Sequence, residues 1–370
     1  MRDVYSTRTY SFELPDELIA SESLAQRDAS RLLVVNRNKG TIEHHTIRDL
    51  PRLLNAEYEM VVNNTRVFRA RLLGERIGSG GKVEFFMLKK KGERLWQGLM
   101  KTGARVLPGF EFQVDANGAT VTDKITAKVI AREDTSSGVL FTAEFSHDPV
   151  EAQMGEVPLP PYIVAKRLRE NEHVAISPEQ ELENYNTTFA REVGSVAAPT
   201  AGRHFTAQLI RQLQEQGTGW HEITLHVGLG TFKPVSVEDI RDHQMHAEAA
   251  TISSQTASAL NLVKKRGKKI LAVGTTSTRT LEGMVNPSTS MLEYGTKDVN
   301  LFIHPGASEG ENYQWKYVDA MLTNFHLPES TLLMMVASFI GDLDWTLEIY
   351  RTAIQERYRF YSYGDAMLIL

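Results

Sequence analysis

The chain has 370 residues, 42% of them apolar, with a formal net charge of −5 and no cysteine. Such a length and apolar fraction suit a large globular domain with a smaller one, or two of ordinary size. Without cysteine there is no disulfide, no thiolate metal site and no cysteine nucleophile, and a mildly acidic chain that binds nucleic acid must gather its Lys and Arg on one face.

In chain order, residues 1–6 lack the apolar stretch of a secretory signal, and no later run is apolar and long enough to span a bilayer. No membrane association is expected, and the expected address is cytoplasmic. Residues 14–20 read as a short capped helix, and 31–36 as a buried strand ended by Lys39 and Gly40. The apolar run 60–62 then delivers Asn63, Asn64, Thr65 and Arg66 to a strand end.

From about residue 69 to 155 helical periodicity disappears. Short β-prone stretches (83–88, 121–131, 139–145) are separated by turn residues at 79–81, 108–109 and 136–138. The expected organisation is a discontinuous α/β catalytic domain, residues 1–68 plus 156–370, with a small β-barrel inserted at 69–155. Three prolines at 158, 160 and 161 favour an extended path after it. The charged stretch 167–183 reads as an exposed helix or loop.

The remainder alternates strands and helices. Residues 223–227 and 270–274 read as strands, while 254–265, 278–284, 330–339 and 345–358 read as helices. The chemistry is expected where glycines and uncharged polar residues interrupt strand ends. Residues 194–206, with Thr200 and Gly202, form a small-residue segment leading to a helix that starts near Thr206. That suits close ligand approach or a tight internal turn. His226 falls inside a strand followed by Gly228 and Gly230. It reads as a satisfied core histidine or an acid/base, and the glycines do not complete a dinucleotide fingerprint.

His243, His246 and Glu248 lie within six residues. Their spacing does not match the helical His-Glu-x-x-His pattern, which leaves loop contacts, proton transfer and, least favoured, a metal as readings. Residues 274–279 follow a strand and open a helix, so Thr275 and Arg279 make an anion or carboxylate seat. Asn324 and His326 precede a helix capped by Ser330. At the C-terminus, aromatic residues around Arg359 suit base stacking or a packed strand, and Asp365 suits a ring N–H or hydroxyl. The basic runs 89–91 and 264–269 suit phosphate contact or solvated surface.

Taken together, residues 27–32, 63–67, 158–163, 194–206, 223–232, 243–248, 273–282, 323–333 and 358–368 resemble the S-adenosylmethionine:tRNA ribosyltransferase-isomerase family of queuosine biosynthesis. Ala198-Pro199-Thr200-Ala201-Gly202 and the run 224–232 carry the resemblance furthest. It implies a monomeric α/β plus β-barrel enzyme with no metal and no cofactor, using S-adenosylmethionine as co-substrate. The acceptor it implies is a tRNA with a queuosine-type anticodon, bearing 7-aminomethyl-7-deazaguanine at the wobble position, with adenine and methionine leaving. The acid/base candidates are His226 first, then His204, His326, His246 and Glu248. Arg279 and Thr275 are candidates for the methionine carboxylate, Asp365 for a base edge, and Asn64, Arg66, Thr200, Gly202, Gly228, Gly230 and Asn324 for substrate contact.

The chain departs from the family pattern at several positions. It has Tyr185-Asn186-Thr187-Thr188-Phe189 for Tyr-Gln-Thr-Val-Tyr, Arg203 where leucine follows Ala-Gly, a longer segment before Tyr185, and Ala307 after Pro305-Gly306. A methyltransferase would be expected to show a Gly-rich loop after its first strand, which is not evident. A non-enzymatic RNA-binding module leaves the His, Thr and Gly groups at strand ends unexplained.

Overall fold

Runs rich in Val, Ile and Leu without polar alternation become strands covered on both faces, and these build the middle of the molecule. The computed structural model describes residues 2–115, 124–135, 138–170, 176–228 and 235–370. First come β1 (Arg31–Asn36), β2 (Thr41–Thr46), the one-turn α1 (Leu50–Leu53), β3 (Tyr58–Asn63) and β4 (Thr65–Val67). Six strands follow: β5 (Arg71–Arg76), β6 (Lys82–Lys90), β7 (Leu95–Thr102), β8 (Glu111–Val114), β9 (Ile125–Thr135) and β10 (Gly138–Phe145). Next are α2 (Pro161–Arg169), α3 (Pro178–Tyr185), β11 (Glu192–Ser195), α4 (Ala207–Glu215), β12 (Gly219–Leu225), β13 (Glu248–Ile252) and α5 (Ser254–Lys265). The chain ends with β14 (Lys269–Val273), α6 (Thr275–Gly283), β15 (Gly295–Val299), β16 (Ala320–Asn324), α7 (Thr331–Ile340), α8 (Leu343–Gln355) and β17 (Ala366–Ile369).

Nine strands make one mixed sheet in the order β15-β13-β12-β3-β14-β16-β17-β1-β2. Within it β12, β3, β14 and β16 are parallel, β17 runs against β16, and β1 follows β17. The carboxyl ends of four strands therefore share one sheet edge with the amino ends of β17 and β1. In open α/β sheets that edge is where ligands bind. Side chains alternate between two apolar layers: Leu33, Val35, Val61 and Ala272 pack with α7 and α8, while Leu32, Val34, Met60 and Leu271 pack with α4.

Strands β5 to β10 close an antiparallel barrel, ordered β10-β7-β6-β5-β8-β9 and inserted between residues 71 and 145. Closure removes the free edges that an isolated small sheet would expose. Its centre is a triangle of Phe85, Phe112 and Phe145 with ring centroids 5.7 to 6.0 Å apart. Gly98 of β7 lies so close to β6 that a Cβ would overlap the Phe86 carbonyl. Gly98→Ala is expected to cost about 1–3 kcal/mol by overpacking, read as a lower urea midpoint with an unchanged slope.

Several elements differ from the sequence reading. Residues 14–20 hold only a 3₁₀ turn, Asp16–Leu18, which follows Pro15 and ends where Ile19 is extended. The helix expected from residue 278 starts three residues earlier, on Gly274, whose φ of 86° makes the sharp turn out of β14. β12 stops at Leu225, which puts His226 just past the strand instead of inside it. α2 begins on Pro161, the helix position where a missing N–H costs nothing. Within stretches read from the sequence, residues 121–123, 136–137, 171–175 and 229–232 lie outside the described residues. No helix among the described residues is long and apolar enough to cross a membrane.

Candidate active site

At the shared edge a cleft of about 760 Å³, open mouth included, is bounded by the ends of β14 and β16, the starts of α6 and α7, and residues 197–201. Four of the residues singled out from the sequence line it: Thr200, Thr275, Asn324 and His326. Asn324 is the last residue of β16, His326 lies two residues beyond it, Thr275 follows β14, and Thr200 opens the 3₁₀ turn between β11 and α4. The start of α6 has no side-chain cap, since Gly274 offers none. Its first-turn N–H groups and the positive end of its dipole face the cleft, which suits a carboxylate. Thr276, also in the lining, is fixed by the Asn63 amide, which donates to its Oγ1 at 3.2 Å.

His326 is held at two points. Its Nε2 lies 2.8 Å from Thr323 Oγ1, and its backbone N–H donates to Tyr350 Oη at 3.2 Å. Nδ1 is the nitrogen left to serve the cleft. Burial pushes the imidazole down to about 3, so it is neutral at physiological pH. The opposite wall is aromatic: Tyr162 and Tyr361 meet edge to face at 4.8 Å, and Tyr162 Oη donates to Ser362 Oγ. The arrangement offers one neutral proton acceptor, one anion seat and an aromatic face.

The other predicted residues are distributed around this cleft. His226 precedes Val227, which lines it; His226 itself is half-buried, with Nδ1 2.8 Å from Thr65 Oγ1. Burial lowers its pKa, and Glu192 opposes the change. Its ring lies flat on Gly194, where a Cβ would come within 2.7 Å of Cε1, which is why glycine stands there. Glu248, buried at the start of β13, accepts the Gly228 N–H at 3.0 Å and forms an ion pair with buried Arg279. Arg279 is thus committed to an internal carboxylate and does not line the cleft. His246 is half-buried before β13. Among the described residues no group of three His, Asp or Glu could hold a metal ion.

Asn64 bridges strands by accepting from Thr224 Oγ1 at 2.7 Å and donating to Glu222 at 3.1 Å. Asp365 accepts the backbone N–H of Arg31 at 3.0 Å and of Arg359 at 2.8 Å, tying β17 to β1. Gly202 is pressed against Phe189 and Thr187. Arg66 is exposed and lies in a second cleft, toward the barrel. Gly230 lies outside the described residues.

His204 is 4% exposed, and burial, followed by the charges of Arg203 and Arg359, pushes it down to about 3. Unfolding restores an ordinary imidazole, so the unfolded chain binds the extra proton below about pH 6.5. The stability His204 contributes is present above that pH and lost as pH falls through it. By pH 5 this one group is expected to cost about 2 kcal/mol, seen as a falling urea midpoint between pH 7 and 5 that flattens in His204→Asn.

Sequence reasoning gave no role to Tyr162, Tyr185 and Ser362, and offered base stacking or a packed strand for the aromatic residues around Arg359 that include Tyr361; all four line the cleft. The prolines before Tyr162 and the positive φ of 70° at Tyr361 are the local features that turn these rings inward, and only the second is invisible in the sequence.

A family described as queuosine biosynthesis protein matches residues 7–369. An S-adenosylmethionine:tRNA ribosyltransferase-isomerase of Clostridioides difficile is 42% identical over 364 residues, covering 98% of this chain and 99% of that protein. One from Symbiobacterium thermophilum is 44% identical over 362 residues, covering 98% of each. Among solved structures, an S-adenosylmethionine tRNA ribosyltransferase from Thermotoga maritima aligns with TM-score 0.53 and 31% identity, over 98% of this chain and all of that one.

Proposed function

The chain belongs to the S-adenosylmethionine:tRNA ribosyltransferase-isomerase family, and from that premise we propose that the cleft at the ends of β14 and β16 is where S-adenosylmethionine reacts. The enzyme moves and rearranges the ribosyl group of S-adenosylmethionine onto tRNA in queuosine biosynthesis. On this reading the acceptor is 7-aminomethyl-7-deazaguanine at the wobble position, and adenine and methionine leave as epoxyqueuosine forms. We assign the reaction to the cytoplasm, where tRNA is, and to a monomer, as the family resemblance implies.

The observation that carries the assignment is a neutral histidine beside an uncapped helix start. The sulfonium acidifies the neighbouring ribose C–H, and His326 Nδ1 takes that proton as the ring opens and adenine leaves. A neutral imidazole does not repel the incoming cation. The transfer moves a positive charge from substrate to His326 without adding one, so the cleft's net charge stays constant while the low basicity caused by burial is offset. The start of α6, with Thr275, holds the methionine carboxylate, and the tyrosine wall faces the sulfonium. The acceptor's aminomethyl nitrogen then bonds to the ribosyl carbon and gives up a proton, which balances the one adenine takes as it leaves, and epoxide closure breaks the C–S bond to release methionine.

Incubation with S-adenosylmethionine and tRNA bearing 7-aminomethyl-7-deazaguanine is expected to yield free adenine and a nucleoside of epoxyqueuosine mass. Adenine release with any other product mass would remove the acceptor assignment.

A further inference from the structure

A second cleft lies where the chain enters the barrel at residues 66–69 and leaves it at 150–154, with α3 and β11 completing its walls. It holds about 540 Å³ of free space, within the range of about 300–1,000 Å³ found for ligand pockets. Arg66 of β4 and Val193 of β11 are register partners in a parallel ladder, so their side chains stand together on one face, and both are exposed. Val193 keeps 50% of its surface open, and Val150 and Leu182 add half-buried apolar surface to the lining.

Three arginines and two glutamates line this cleft. Arg69 is bound to Glu179, and Arg27 donates to the carbonyls of Asn186 and Glu183. Arg66 has no ion pair among the described residues; its contact is a long hydrogen bond of 3.4 Å to the Ala190 carbonyl. Thr187, only 5% exposed, also lines the cleft, and its buried Oγ1 has no hydrogen-bond partner. Its methyl group packs toward Gly202, so the hydroxyl is the polar atom it brings to the cleft.

The two clefts stand back to back on the same chain segments. Tyr185 and Ala197 line the first, Thr187 and Val193 the second. Residues 193 and 197 are at most about 14 Å apart along the chain, a short step for a polynucleotide. A base that reacts in an enzyme pocket must leave its stack, and its neighbours then lose a partner that the protein can replace.

We propose that the cleft at the barrel junction seats the nucleotide adjoining the reacting one in the acceptor RNA, with the base on Val193 and Leu182, its edge on Thr187 Oγ1 and the phosphate on Arg66. A free cation beside open apolar surface and an unpaired hydroxyl matches the phosphate, face and edge of one nucleotide. The identity of that nucleotide as a neighbour rests on the reading of the first cleft as the place of reaction.

Fluorescence anisotropy with tRNA, between about 50 and 200 mM salt, tests the seat. Arg66→Gln should bind roughly tenfold more weakly with a salt slope shallower by about 0.7–0.9, while Arg66→Lys keeps the slope. Val193→Trp fills the cleft from an exposed position and should weaken binding with the slope unchanged. S-adenosylmethionine binding by equilibrium dialysis should not change in either variant. An abasic nucleotide directly 5′ or 3′ of the reacting base should weaken binding to the wild type roughly tenfold, and binding to Val193→Trp hardly at all. Wild-type affinity and slope in folded Arg66→Gln and Val193→Trp overturn the proposal, and so does an abasic tRNA that the wild type binds as well as the intact one. If the slope and abasic effects appear while His326→Ala releases adenine at the wild-type rate, the reading of the first cleft fails and this seat stands.

Discussion

Replacing His326 by alanine is expected to lower kcat by about 10²- to 10⁴-fold, the usual contribution of a positioned proton acceptor, with little change in S-adenosylmethionine affinity. The side chain is fixed by Thr323 and lines the cleft, so truncation removes a group and leaves the walls. Solvent exchange of the ribose hydrogen next to sulfur, followed by mass spectrometry, should fall with kcat. His226→Ala is the control. Its ring contacts Thr65 and Gly194, outside the cleft lining, and a few-fold effect is expected. A loss in His226→Ala as large as in His326→Ala, with normal folding, would transfer the proton step to His226. The pH profile adds a second check. Because burial pushes His326 down to about 3, its acid limb lies far below the ordinary histidine range, and activity should not fall near pH 6.5 on its account.

The second large effect concerns stability. Glu248 and Arg279 form an ion pair with side chains only 6% and 7% exposed. Glu248→Ala leaves a buried guanidinium without its carboxylate and is expected to cost about 3–5 kcal/mol in urea unfolding. The loss also frees the Gly228 N–H, so the segment after β12 loosens. Changing both residues, as Glu248→Gln with Arg279→Met, should recover much of the stability, because the penalty comes from the unpaired charge. If Glu248→Ala alone unfolds at the wild-type midpoint, the pair does not hold this region.

Much of the architecture was legible because hydrophobic patterning sets it locally. The strand at 31–36 and the helix at 254–265 have the bounds read from the sequence, and alternation at Val139, Phe141, Ala143 and Phe145 marks a barrel strand. The site was legible in part. Thr200, Thr275, Asn324 and His326 converge because parallel strands bring their ends to one edge. Asn64 and Asp365 show the limit: a short polar side chain at a strand end reads alike whether it awaits a ligand or, as here, ties backbone and neighbouring strands together. Arg279 is a similar case, since it stands on α6 while its partner Glu248 comes from β13, and no local spacing foretells the pair.

The strand order also dictates a timetable for folding. β3 ends at residue 63 but lies between β12 and β14, which end at 225 and 273, so its flanks stay open until those strands have been made. The barrel, built largely from consecutive hairpins, can close long before. β17, residues 366–369, is an interior strand between β16 and β1, so the sheet is split until those residues dock. A nascent chain stalled before residue 366 presents two unsatisfied strand edges to the cell, which makes it a substrate for chaperones and proteases.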